Sequence, residues 1–210
     1  MKPITISART YLESCANAFD RTPGYPLADR ILAQVFSTNQ KNDSIEVVLH
    51  KAALLNTLYR TNIFSIYQMA GHLLKQRLDS SIERGDRQAV ALIRLGHGIK
   101  KNRKELDFYS FATKYCHWHQ PTLFPMYDRY VTVALQRLNR KLQFMATFSN
   151  DDLRNYPTFL AAVNECRAQL KLDWGYKRFD QALWISGQII KGEADRAVVQ
   201  AAGKLPRGLN

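Results

Sequence analysis

The chain has 210 residues, 46% of them hydrophobic, which suits one large domain or two small lobes with a true core and excludes a largely disordered chain. Thirty Lys and Arg against eighteen Asp and Glu leave a net charge of +12, a self-repulsion that a polyanion would offset, and nucleic acid is the commonest polyanion. Three widely spaced cysteines (Cys15, Cys116, Cys166) make no disulfide framework, Met1-Lys2-Pro3-Ile4-Thr5 carries no apolar signal region, and no apolar run is long enough to span a bilayer, so a soluble cytoplasmic protein without a membrane partner is expected.

Helical periodicity runs through the chain and no convincing strand alternation interrupts it, so the predicted class is all-α. A first helix is expected over about Ser7–Phe19, with Tyr11, Leu12, Cys15 and Phe19 on one face, ended by the Pro- and Gly-containing stretch 21–26. A second covers about Leu27–Phe36, followed by a polar, partly basic loop from Ser37 to Asp43. Ser44 or Asp43 can cap a third through about Thr57, with Ile45, Val48, Leu49, Ala52 and Leu55 inward. A fourth is expected over about Ile63–Arg77 and a fifth over about Ser81–Leu95, stopped at Gly96-His97-Gly98 before the basic run Lys100-Lys101-Asn102-Arg103-Lys104. The stretch Glu105–Arg140 reads as helix, turn, helix. Downstream come helices over about Asp151–Leu170, Lys177–Ile190 and Glu193–Ala202, with residues 204–210 a frayed tail. Phe179, Leu183 and Trp184 have the spacing of a packed helix face. The whole is expected to be a single helical domain over 1–210, divisible into two lobes, a middle one (about 30–115) and one from the ends (about 1–29 plus 116–203).

Chemistry concentrates in the stretch from Phe108 to Val131. Pro121 and Pro125 impose an extended connection, and Asp128 then falls at the start of a helix through Val131, Ala134, Leu135 and Leu138. By residue type alone an Asp there is a helix cap. Cys116 and His119 share a helical face, a spacing zinc can use, but two further ligands are missing nearby, so no metal is expected. Three cysteines also cannot supply a four-cysteine iron–sulfur cluster, and no cofactor is expected.

Phe124-Pro125-Met126-Tyr127-Asp128, followed by Val131, Leu135 and Arg137, resembles the catalytic-aspartate segment of helix-hairpin-helix DNA glycosylases, most closely in the mismatch-adenine branch. The interval from Ala112 to Asp128 also fits that branch. Upstream, Asp29 with Leu32-Ala33-Gln34 resembles its early acidic residue and the helix after it, and Leu55-Asn56-Thr57-Leu58-Tyr59 its next turn-helix unit. The resemblance implies two helical lobes around a DNA-binding groove, with Asp128 catalytic and Asp29 protonating the leaving base. It implies that Asn39 and Gln40 reach into the duplex where a base has been flipped out. Two departures bear on the chemistry. The family's glycine-rich hairpin is replaced by Leu106-Asp107-Phe108-Tyr109, and Ser110 stands at the position of the lyase lysine, with Lys114 one helical turn further on. Hydrolysis by water is therefore expected over Schiff-base lyase chemistry.

That reaction explains the residue types. Cleavage of an N-glycosidic bond builds positive charge on the sugar, which a carboxylate stabilises while it orients water. The flipped base needs a pocket with aromatic faces and a few polar groups, for which Tyr109, Tyr115, His117, Trp118, His119 and Tyr127 are the candidates. Lys41, Lys100, Lys101, Arg103, Lys104, Ser110, Lys114 and Arg129, with Asn39 and Gln40, are the candidate DNA contacts. The expected activity is a monofunctional glycosylase, acting as a monomer on double-stranded DNA to remove a modified or mismatched base, in repair or in defence against phage with modified DNA. The alternatives are a non-catalytic DNA-binding module on the same scaffold and a helical protein-interaction domain.

Overall fold

The structure is a computed structural model, and its described residues are 3–96, 99–101 and 104–209. Eleven α-helices occur among them: α1 (Pro3–Arg21), α2 (Gly24–Thr38), α3 (Ile45–Tyr59), α4 (Ile66–Gln76), α5 (Asp79–Glu83), α6 (Gln88–Leu95), α7 (Tyr109–His119), α8 (Arg129–Leu142), α9 (Tyr156–Leu170), α10 (Tyr176–Lys191) and α11 (Arg196–Ala202). The fold is all-α. Among the described residues the extended structure is one antiparallel pairing of β1 (Lys100–Lys101) with β2 (Lys104–Glu105), at the basic run where no strand is expected from the sequence. No helix among the described residues is long and apolar enough to cross a membrane.

Local chemistry sets most helix ends. Ser44 caps α3 by accepting from the Val47 amide, and Asn155 caps α9 by accepting from the Thr158 amide. Gly96 ends α6 in the left-handed region, where a Cβ would also sit 2.5 Å from the Phe108 ring. Helix α2 begins at Gly24, earlier than expected, because a proline in a first turn, here Pro26, has no intrahelical hydrogen bond to lose. The single helix expected over about Ser81–Leu95 is two, α5 and α6. Gly85 turns the chain at φ +72° and lies against Leu123, so the apolar period continues across a break in the backbone.

The chain divides into two compact units, residues 1–26 with 127–210, and residues 27–126. In the first, α10 packs on α8 and α1, and α9 on α8. Leu12, Cys15, Leu135, Phe159, Cys166, Phe179 and Leu183 are buried there, and Trp184 packs on Phe19, Tyr25 and Tyr130. The C-terminal residues are more than a frayed tail. A 3-10 turn, Arg207–Leu209, buries Leu209, whose carbonyl accepts from Arg137. In the second unit α3 packs on α4, α6 on α7, and α3 on α7. Its core holds Leu32, Phe36, Val48, Leu55, Met69, Leu73, Ile93, Phe111 and Tyr115. The three cysteines are buried free thiols.

Candidate functional site

Asp128 lies in the first unit and caps α8. Its backbone is extended (φ −146°, ψ 152°), as is usual for a residue that caps a helix start, its Oδ1 accepts from the Tyr130 amide at 3.0 Å, and its carbonyl accepts from Thr132 at 3.0 Å. The carboxylate is half-buried at the N-terminus of a 14-residue helix, where the helix dipole favours negative charge. What holds this turn is backbone packing. A Cβ on Gly187 of α10 would lie 2.0 Å from the Tyr130 carbonyl oxygen, so the glycine permits α8 and α10 to touch. Tyr127 is nearly buried, its ring edge-on to Phe159 at 5.5 Å. Arg129 is exposed and paired: its guanidinium lies over the Tyr130 ring and donates to Glu193 Oε2 at 2.6 Å, and the Tyr130 hydroxyl donates to the same oxygen at 2.6 Å.

The second unit brings other predicted residues together. The Tyr59 hydroxyl at the end of α3 donates to Asp29 Oδ1 of α2 at 2.6 Å. Lys114 Nζ lies 5.6 Å from the Tyr59 ring centroid and donates to Ser110 Oγ at 2.8 Å, and the Trp118 ring stands edge-on to Tyr59 at 6.2 Å. Asp29, Tyr59, Ser110, Lys114 and Trp118 thus form one cluster, with Asp29, Tyr59 and Ser110 half-buried at its edge. Lys114, expected as a DNA contact, is instead buried, its stem packed in the core and its ammonium turned into this cluster. Sequence reasoning missed Tyr59 as a site residue, since a tyrosine at a helix end carries no signal distinguishing it from ordinary packing.

The remaining pocket candidates on α7 are mostly interior. Tyr109 and Tyr115 are 1% and 0% exposed, so contact with a base would require the core to open. His117 is fully buried, and its Nδ1–H donates to the Phe124 carbonyl at 2.6 Å, tying α7 to the connection before residue 126. His119 packs against Phe36 and Tyr115 and hydrogen-bonds the Gln40 backbone. Burial, with the Lys51 charge beside it, pushes His119 down to about 3, so it is neutral at physiological pH. Burial also pushes the Cys116 thiol up, away from the thiolate a metal would need. Among the described residues no group of three or more His, Cys, Asp and Glu is placed to hold a metal.

The hairpin-like turn before α7 is built without glycine in Leu106-Asp107-Phe108-Tyr109. Arg94 of α6 makes a two-pronged ion pair with Asp107, at 2.7 and 2.6 Å, and lies over the Tyr109 ring. The Tyr109 amide donates to Asp107 Oδ1 at 3.0 Å, so an internal carboxylate sits where the start of a helix would otherwise offer an amide to phosphate. In the loop after α2, Asn39 folds back onto Val35, while Gln40 and Lys41 are exposed. Lys100, Lys101 and Lys104 lie on the short ladder; Arg103 falls outside the described residues, as do the side chains of these three lysines.

No solved structure matches the chain. An uncharacterized protein of Haemophilus influenzae is 37% identical over 147 residues, covering 70% of this chain and 69% of that protein. The HI_0787_N family model, described as an N-terminal domain, matches residues 9–123, which takes in Asp29, Tyr59, Ser110, Lys114 and Trp118 and stops short of Asp128. On both comparisons the chain belongs to the HI_0787_N family.

Proposed function

We propose that this protein is a monofunctional DNA glycosylase, built like the helix-hairpin-helix glycosylases around a DNA groove and acting on double-stranded DNA. The observation that carries the reading is the half-buried Asp128 carboxylate at the N-cap of α8, directly after Phe124-Pro125-Met126-Tyr127. The net charge of +12 supports DNA as the partner. As the bond from sugar C1′ to the base nitrogen breaks, the carboxylate stabilises the positive charge on the sugar and takes a proton from the attacking water. The resemblance assigns protonation of the departing base to Asp29, whose Oδ1 accepts from the Tyr59 hydroxyl. Ser110, at the lyase position, offers no amine, and the neighbouring Lys114 ammonium is engaged with the Ser110 hydroxyl, so the proposed course is hydrolysis by water to an abasic site and a free base. The setting is repair, or defence against phage carrying modified DNA.

The capping geometry supplies a clean test, because Asn caps a helix about as well as Asp does. Asp128→Asn is expected to keep the fold and to lose base excision by about 100-fold or more. The assay is incubation with duplexes carrying varied modified or mismatched bases, then alkali to break strands at abasic sites. Full activity in Asp128→Asn would remove Asp128 from the mechanism. A second reading, a DNA-binding module without catalysis, draws on the commitment of Asp128 Oδ1 to the Tyr130 amide. It predicts salt-dependent duplex binding, unchanged in Asp128→Asn, and no free base by mass spectrometry on any substrate.

A further inference from the structure

The polar loop between α2 and α3 is gripped from inside the second unit. Lys51 of α3 is 0% exposed, and its Nζ donates to the Lys41 carbonyl at 2.9 Å and to Asn42 Oδ1 at 3.1 Å. The same Asn42 oxygen accepts from the Tyr115 hydroxyl of α7 at 2.5 Å. Asn42 donates its backbone N–H and its side-chain amide to Asp79 of α5, at 3.0 and 2.5 Å. His119 of α7 hydrogen-bonds the Gln40 backbone. Three helices therefore hold three consecutive loop residues, while Gln40 and Lys41 themselves stay exposed.

Burying a lysine ammonium is costly in desolvation and side-chain entropy, and an apolar side chain of similar volume beside Phe36 would avoid the desolvation. What an apolar residue cannot do is hold the Lys41 carbonyl from beneath. We infer that Lys51 is a positioning residue: it fixes the backbone of the 39–42 loop so that Gln40 and Lys41 meet the DNA duplex in one set geometry. The inference rests on the glycosylase reading for its partner, and on the loop's own hydrogen bonds for its mechanism.

Electrostatics gives the latch a pH dependence. The groups facing Lys51 are Asp79 of α5, Asp43 of the loop, and Tyr115 and His119 of α7. Burial outweighs the two acids and lowers Lys51 from 10.5 to about 8. Opening the loop to water would restore the ordinary value. The closed loop therefore gains on the open one as pH rises from about 8 toward 10.5, because the buried neutral amine still donates its hydrogen bonds without the cost of a buried charge.

The test pairs hydrogen exchange over residues 37–44 with binding to two short duplexes, one intact and one with a central tetrahydrofuran abasic analogue. In the wild type, loop protection, corrected for intrinsic exchange, is expected to rise between pH 8 and 10. In Lys51→Met it is expected to be flat with pH and lower by about tenfold or more, with α8 and α10 unchanged, and the preference for the abasic duplex falls by a similar factor. Lys51→Arg, charged throughout this range, keeps that preference and loses the pH dependence. Unchanged loop protection in Lys51→Met overturns the latch. A loosened loop with undiminished duplex preference overturns the positioning role. Where the variants do not fold, the wild-type pH series decides alone, and a flat profile overturns the inference. Wild-type protein that binds neither duplex sinks the glycosylase reading, and the DNA side of the inference with it, while loop exchange still judges the latch.

Discussion

The first turn of α8 and the loop from residue 39 to residue 42 both hold polar groups still, by opposite means. At α8 the backbone does the holding: Gly187 admits the Tyr130 carbonyl, and the side chains around Asp128 include an exposed pair, Arg129 with Glu193. At the loop, side chains hold the backbone: Lys51, Asn42, Asp79 and Tyr115 form a linked set of hydrogen bonds with little access to water. Charges at the exposed site are cheap to change, whereas each member of the buried set leaves another polar group unsatisfied when it is removed.

The sharpest way to break this contrast is at the backbone contact. Gly187→Ala places a Cβ against the Tyr130 carbonyl, and a loss of about 3 kcal/mol or more is expected in urea unfolding. An effect under about 1 kcal/mol would show that α8 and α10 can part cheaply, and that the α8 turn is not held by packing. Next comes Asp79→Ala, which strips Asn42 of both acceptors and Lys51 of a facing charge. About 2 kcal/mol is expected from the same measurement, and accelerated exchange should be confined to the loop and its neighbours.

A smaller effect concerns acid. His119 falls from 6.5 in the unfolded chain to about 3 when folded, so the unfolded state binds the extra proton between those values. Its contribution is fully present above about pH 6.5 and is lost as pH falls toward 3. His119→Phe should flatten the stability profile over that window, and an unaltered slope would mean that His119 is hydrated. The smallest effect is at the exposed pair. Glu193→Gln is expected to leave unfolding unchanged and, by freeing Arg129, to raise duplex affinity about two- to threefold at low salt, with the gain vanishing as salt rises. A large stability loss there would contradict the division between exposed and buried sites.

Local structure is legible in the sequence where a few neighbouring residues settle the outcome. Ser44 before an apolar period, Gly96 after one, and Asp128 behind two prolines each become what local chemistry makes them: a cap, a stop and a cap. It is not legible where the same local signal fits two outcomes. The period through Ile82, Val90 and Ile93 continues across Gly85, so the spacing predicts one helix where the backbone turns. The residues after 203 look featureless until Leu209 finds a place in the core.

Composition and spacing by themselves determined an all-helical, basic chain with an aspartate at the start of α8, because charge sums and helix caps need only nearest neighbours. Only the tertiary structure decided what the other polar residues do. The pairing of Asp29 with Tyr59 joins residues 30 apart, and that of Asn42 with Tyr115 joins residues 73 apart. Lys114 reads as a DNA-contacting cation, and nothing in the sequence singles out Lys51, until packing encloses them both. These arrangements arise when folded helices exclude water, which favours an acceptor for a buried donor, and no interval along the chain encodes which one it finds.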